Sequence, residues 1–347
     1  IHRMRIARRL GFAVMVIAGL AGSDTWAAPA ARTRPAPAAP VAARPRLDFP
    51  DPTGTTRFER VSGDGADVLV LAGDKRVLRM ERSGAIQEGT GPSNPIAFAL
   101  TGTPPTAKFA IAGTSGELAI YDGATLEYGL APALDAEALT GIAYDSGGRL
   151  HVAGRHRALY VRELDATWRT YRYPGVGVGV IAAGFGPGGL YLIGAHARVF
   201  SFASGQFREL TLTGLTSAVQ GAAWTHAWMN GAGDRVWITC GKHLLTLELP
   251  SGNLKTTPSP LFFDPSSFAG ARAHGGDLIA LGSMSELALY DGTGFTRVPG
   301  EVRHSGGLYI DVKQSMVYEV EWGKLNRFPV RHPRLGTGAG EAWVPRP

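Results

Sequence analysis

In the stretch GAAWTHAWMNGAGD, Trp224, His226, Trp228 and Asn230 recur at every second position. In an extended strand this spacing puts all four side chains on one side. Two indole faces with an imidazole and a carboxamide suit a sugar or another flat ligand, which stacks on the rings and hydrogen bonds to the polar atoms. The same spacing also suits a gap between packed sheets, where large aromatic side chains are ordinary core. His226 offers a second chemistry. An imidazole beside a carboxylate moves protons, and Asp145 or Glu59 would supply the carboxylate in a hydrolase or lyase.

Three further histidines, His156, His196 and His243, fall at corresponding turns of successive segments. A shared metal would need bonds of about 2 Å to each ring, which equivalent turns of neighbouring units cannot supply. They are read as polar residues forming a titratable stripe on one face, and no metal or cofactor is expected. The glycine-rich run Gly175 to Gly189 lacks the GK[ST] ending and following helix of a phosphate loop, and is read as a plain connection.

Composition narrows the setting. Glycine is 47 of 347 residues, about twice its usual share, which points to many tight turns. The net charge of +6 is concentrated at the start: residues 1–27 carry +3 and 28–46 carry +4, leaving −1 for the remainder. The body therefore lacks the clustered lysine and arginine of a nucleic-acid groove. Cys240 is the single cysteine, so no disulfide forms within the chain.

The first 27 residues have the layout of a secretory signal. A basic stretch is followed by the 13-residue apolar run Leu10 to Gly22, then by small residues at Thr25 and Ala27. The run is short for a membrane span, which needs about 20 residues. The expectation is a protein secreted or held in a bacterial periplasm, with no span after cleavage. Residues 28–46 are an Ala/Pro/Arg spacer with little to bury, 47–330 the folded body, and 331–347 a tail.

The body repeats. Apolar runs end at Gly73, Gly113, Gly154, Gly194, Cys240, Gly282 and Val312, spaced by 40, 41, 40, 46, 42 and 30 residues. An apolar residue follows five positions after each marker, and a turn residue ten to twelve after. Within a unit the pattern alternates with period two, as in LALYDG and LHVAG. A repeat of about 40 residues holding four short strands is the signature of a propeller blade. The fold class expected is all-β, a β-propeller of seven four-stranded blades, with six or eight compatible with the same markers. The seventh unit is the shortest, and its first strand is expected near 301–304.

At the level of repeats the chain resembles known propeller families. Thr140 to Gly154 (TGIAYDSGGRLHVAG) is similar to an NHL unit, and the segments Gly113–Gly123 and Gly282–Gly292 resemble kelch- or WD40-like repeats of secreted bacterial propellers. The resemblance implies the fold over 57–330 and carries little function, because propellers host many unrelated activities.

The innermost strands are rich in small apolar residues and poor in carboxylates, which is weak ground for paired acid–base chemistry. The function expected from sequence is thus a monomeric, non-catalytic extracytoplasmic propeller that binds a protein or carbohydrate partner at Trp224, His226, Trp228 and Asn230, with His156, His196 and His243 on the same face. The enzyme using His226 and a carboxylate is the first alternative, and a purely structural envelope protein the second.

Overall fold

The computed structural model describes residues 46–47 and 58–335, apart from 64–66, 83–85, 103–106, 131–136, 176–177, 299–306 and 322–323. The expected signal segment, the spacer up to residue 45 and the tail beyond 335 lie outside these. The described residues form 28 strands in seven antiparallel sheets of four, with no helix among them.

Strand β1 (Arg46–Leu47) stands apart in sequence. The first sheet is β2 (Arg60–Gly63), β3 (Val68–Gly73), β4 (Arg76–Glu81) and β5 (Ile86–Thr90). The second is β6 (Pro95–Thr101), β7 (Lys108–Gly113), β8 (Glu117–Tyr121) and β9 (Leu126–Leu130). The third is β10 (Leu139–Tyr144), β11 (Leu150–Gly154), β12 (Ala158–Arg162) and β13 (Trp168–Arg172). The fourth is β14 (Val180–Gly186), β15 (Gly189–Gly194), β16 (Val199–Ala203) and β17 (Gln206–Glu209). The fifth is β18 (Trp224–Met229), β19 (Arg235–Cys240), β20 (His243–Glu248) and β21 (Asn253–Pro258). The sixth is β22 (Ser267–Ala273), β23 (Gly276–Gly282), β24 (Leu287–Tyr290) and β25 (Phe295–Val298). The seventh holds β26 (Gly307–Asp311), β27 (Met316–Glu321) and β28 (Lys324–Pro329), and takes β1 as its outermost strand.

The fold is therefore a seven-bladed propeller. The first strand of each sheet faces the axis, β26 packing on β22 behind it and on β2 ahead. The period-two pattern explains why the ring must close. In β3, Leu69 and Leu71 pack with Tyr318 and Val320 of the seventh sheet, while Val68, Val70 and Ala72 pack with Phe109 and Ile111 of the second. Each such buried side chain contributes roughly 1.5–3 kcal/mol, and a lone blade would leave both faces wet.

The seventh unit departs from expectation. The segment expected to be its first strand, near 301–304, lies outside the described residues, and the inner position is taken by β26. Val312 thus follows an inner strand and does not end a second one. The register match to Gly282 falls at the end of β27, which restores a spacing near that of the other units. The missing outer strand comes from the other end of the chain: Arg46 pairs with Asn326 and Leu47 with Leu325.

Two details position the site. First, β6, β10, β14 and β18 each carry a bulge at the second residue, at Ile96, Thr140, Ile181 and Thr225. A bulge adds one residue and re-aims the side chains after it. Second, the long spacing of the fifth unit does not enlarge the site. Its extra residues run along β21, where Thr213 N–H donates to the Gly252 carbonyl and Leu254 N–H to the Thr213 carbonyl, both at 2.9 Å. They cover a sheet edge that would otherwise be open to pairing.

Candidate functional site

The bulge at Thr225 separates residues that the alternation had grouped. Trp224 pairs with Cys240 before it and is almost fully buried against Tyr191, Val199 and Ile238, on the side of the fourth sheet. After the bulge, His226 and Trp228 turn toward the sixth sheet, beside Phe268. Trp224 is therefore a core residue, and its buried Nε1 has no hydrogen-bond partner among the described residues. Asn230 is also buried. Its amide donates to Asp234 at 2.8 Å and to Asp277 at 3.3 Å, and Trp237 Nε1 donates to the same Asp277 oxygen at 3.2 Å. These bonds tie the fifth sheet to the sixth.

Three of the four residues line open space, His226 and Trp228 in a larger cavity and Asn230, with Trp228, in a smaller one. A cavity of about 750 Å³ runs along the axis, lined by Arg60, His226, Trp228, Phe268, Arg272 and Tyr309 among others. A second, of about 390 Å³, lies alongside and shares Ile96, Phe98, Ile181, Ala227 and Trp228 with it. No carboxylate among the described residues lines either cavity. The small residues of the inner strands make this convergence work. A Cβ on Gly270 would lie 2.1 Å from Trp228 Cδ2, so the indole sits flat against bare backbone.

His226 stands near the beginning of β18, at the end of the channel formed by the turns between second and third strands. Its backbone N–H donates to Thr239 Oγ1 at 3.1 Å, and its Nδ1 lies 3.1 Å from the same hydroxyl. Thr225 Oγ1 completes the cluster, 2.8 Å from Thr239 Oγ1. The ring stacks on Phe268 with centroids 6.3 Å apart and planes 19° from parallel. Nε2 has no hydrogen bond to any described residue. Burial, and then the positive charge of Arg60, push the imidazole down to about 4, so it is neutral near pH 7. Arg60 itself is lowered by burial, which the adjacent Glu59 partly offsets, and its Nε donates to the Pro95 carbonyl at 3.3 Å. Glu59 is raised by burial, with Arg60 pulling it down and Asp74 pushing it up.

The carboxylates considered for His226 are placed differently. Asp145 follows β10 at the opposite end of the channel. It accepts from Arg149 Nε at 2.7 Å and lies 3.3 Å from His151 Nε2. Because all inner strands run in one direction, a residue ending β10 cannot meet one near the start of β18. Glu59 is at the correct end, one residue before Arg60, but the partner of His226 Nδ1 is a hydroxyl.

His156, His196 and His243 all lie at turns between second and third strands, at the His226 end. The first two are exposed and the third half-buried. No group of three or more metal-ligating side chains occurs among the described residues. Carboxylates brace these turns. Glu137 accepts the N–H groups of His156 and Arg157 and the hydroxyl of Tyr160, at 3.0, 3.2 and 3.0 Å. Glu117 accepts from Ser93 and Tyr128 in the second sheet, and Glu286 from Phe262 in the sixth.

Arg60, Thr239 and Phe268 were not singled out from sequence. Arg60 stands in an inner strand and Thr239 one residue before a marker, so their registers were visible but their convergence was not.

No family model and no curated protein matches the sequence. Solved structures do match the fold. A streptogramin B lyase is 12% identical with a TM-score of 0.64, covering 82% of this chain and 96% of that one. Virginiamycin B lyase from Staphylococcus aureus is 12% identical with a TM-score of 0.63, over 80% and 96%. A catalytically inactive histidine-to-alanine variant of virginiamycin B lyase from S. aureus, with quinupristin, is 13% identical with a TM-score of 0.63, over 83% and 99%. At such identity these matches define the fold.

They also correct the expectation of a non-catalytic binding module. That expectation rested on inner strands without carboxylate pairs, yet propellers matching this one over nearly their whole length are enzymes, and one loses activity with a single histidine. Few carboxylates in the channel do not exclude catalysis when an imidazole and a guanidinium stand there instead.

Proposed function

We propose that this propeller is a lyase whose reaction takes place in the axial cavity around His226 and Arg60. The observation carrying the proposal is the imidazole itself. Nδ1 is held by Thr239, Nε2 has no partner among the described residues, and a guanidinium lies close enough to depress its basicity, in a cavity lined by aromatic rings and, among the described residues, by no carboxylate.

A lyase breaks a bond by elimination. The C–H bond beside a carbonyl breaks and its proton passes to His226 Nε2. The electron pair becomes a double bond while the bond to the leaving heteroatom breaks, and that atom departs with its pair. A base titrating near 4 is weak, so the substrate proton must be acidified; Arg60, beside the carbonyl oxygen, would offset the negative charge that develops there. Phe98, Trp228, Phe268 and Tyr309 suit a substrate with apolar or aromatic side groups. The NHL-like unit at Thr140–Gly154 and the signal-like start of the chain support an extracytoplasmic enzyme of this repeat type.

The test is to incubate purified protein with quinupristin, the compound in one of the matched structures, in water enriched in heavy oxygen. A product that takes up no water and no label is expected, and His226→Ala should reduce its rate by about 100-fold or more. Incorporation of labelled oxygen would mean hydrolysis, and an unchanged His226→Ala rate would remove His226 from the reaction.

A further inference from the structure

The axial cavity reaches well past the imidazole. Phe268, which stacks on His226, lines it, and so do Gly270 and Arg272 further along β22. Ile96 lines it where β6 begins, and Thr101 and Gly102 where β6 ends. The space therefore runs from one end of the inner strands to the other. Arg272 stands four residues beyond Phe268, which at about 3.3 Å per residue is roughly 13 Å along the strand.

The two arginines of the channel differ. Arg60, at the His226 end, donates from Nε to the Pro95 carbonyl. Arg272 is exposed, and its guanidinium has no hydrogen bond or ion pair to any described residue. The carboxylate opposite it in the sheet, that of Asp277, is buried and accepts from Asn230 and Trp237 instead. A Cβ on Gly231 would lie 3.8 Å from Arg272 Cδ, so the stem rests beside the turn after β18 while the head stays free. Between His226 and that head the walls include Phe98, Trp228, Leu308 and Ile310, and no carboxylate among the described residues. An anion carried on an apolar body meets no like charge on the way.

We propose that the cavity takes an elongated monocarboxylate, its apolar or aromatic body along Trp228 and its carboxylate on Arg272, at the end opposite the bond that breaks. Which end reacts rests on the lyase reading of His226; the binding at Arg272 does not. One free guanidinium balances one carboxylate, whereas a phosphate monoester carries about −1.5 to −2 and would leave charge uncompensated beside apolar walls. A volume of about 750 Å³ leaves room beside a straight chain for branches or a ring. Because the guanidinium is exposed, its share of the affinity should fall as salt rises.

The experiment titrates the full chain with octanoate by calorimetry, with butyrate as the short acid and octanol as the uncharged control. Octanoate has no leaving group beside its carbonyl, so binding is read without turnover. Saturation of octanoate below about 1 mM is expected, with butyrate and octanol each at least about tenfold weaker. Arg272→Gln should bring octanoate to the level of octanol and leave octanol as it was, and Arg272→Glu should turn the preference to octylamine. Arg272 is exposed, so both variants should fold. The assignment is overturned if octanoate does not saturate, if butyrate or octanol binds as well, or if Arg272→Gln keeps the wild-type affinity. Loss of binding in Arg272→Gln together with inert quinupristin would remove the lyase and leave this subsite, and turnover with binding indifferent to Arg272 would do the reverse.

Discussion

Thr239 Oγ1 lies 3.1 Å from both the backbone nitrogen and Nδ1 of His226, while the Thr239 side chain is wholly buried. One hydroxyl thus fixes where the strand places this residue and how its ring is turned. Because that oxygen accepts the backbone N–H and has a single proton to give, the ring's orientation and tautomer are coupled to the neighbouring Thr225 hydroxyl.

Thr239→Val keeps the shape and removes the hydroxyl. In the proposed reaction it should lower kcat about tenfold, with little change in KM, because it frees the ring without altering the cavity walls. Ring-nitrogen NMR shifts should show the His226 tautomer becoming mixed. An unchanged spectrum would mean that Thr239 does not orient the ring.

The depressed imidazole has a stability consequence of definite sign. The His226 pKa is about 4 folded against 6.5 in a model peptide, so between these values the unfolded chain holds more protons. Stability attributable to His226 is complete above about pH 6.5 and is lost as pH falls toward 4, by up to about 3 kcal/mol. Denaturant unfolding of wild type and His226→Gln across this range should show the two curves converging at low pH. Parallel curves would place the imidazole in a wetter site.

Gly270→Ala sets a methyl group against the Trp228 indole, 2.1 Å from Cδ2. The inner strand has no room to retreat, and a loss of about 1–3 kcal/mol is expected. Adding Trp228→Ala should recover much of it in a double-mutant cycle. Additive losses would show that backbone strain, and not the indole, is responsible.

Asp277→Ala strips the acceptor from Trp237 Nε1 and one acceptor from the Asn230 amide, all three being buried. A destabilisation of about 2–4 kcal/mol is expected from the orphaned donors. Because these bonds join the fifth and sixth sheets, hydrogen exchange should accelerate first in β19 and β23.

Deleting the chain through residue 47 removes β1 and opens the edge of β28. A lower unfolding temperature and a tendency to associate are expected, while deletion through residue 44 should have neither effect. Equal behaviour of the two truncations would show that the β1–β28 pairing contributes nothing.

The fold was legible because the markers record turns and core-facing positions, which sequence periodicity reports directly. Gly73 to Gly282 all end second strands, as the pattern implied. Val312 misled because the seventh sheet borrows its outer strand from the other end of the chain, and no local pattern signals such a long-range pairing. The site was half legible. His226 and Trp228 reach the cavity, but Trp224 does not, because alternation assumes an unbroken ladder and the bulge at Thr225 breaks it. Arg60 and Thr239 were out of reach of periodicity, since what joins them to His226 is closure of the ring and pairing of β18 with β19. Asp145 was grouped with His226 by residue type, although its place at the far end of an inner strand separates them.

The seventh sheet, with β1 laid beside β28, also sets an order in time. As the chain is made, the earliest of the described strands has no partner until the last sheet exists. Packing of β26 on β2 and β22 closes the ring, and the pairing of Leu47 with Leu325 then covers the outer edge of β28, so a chain shortened at either end leaves that edge open to pairing with another chain.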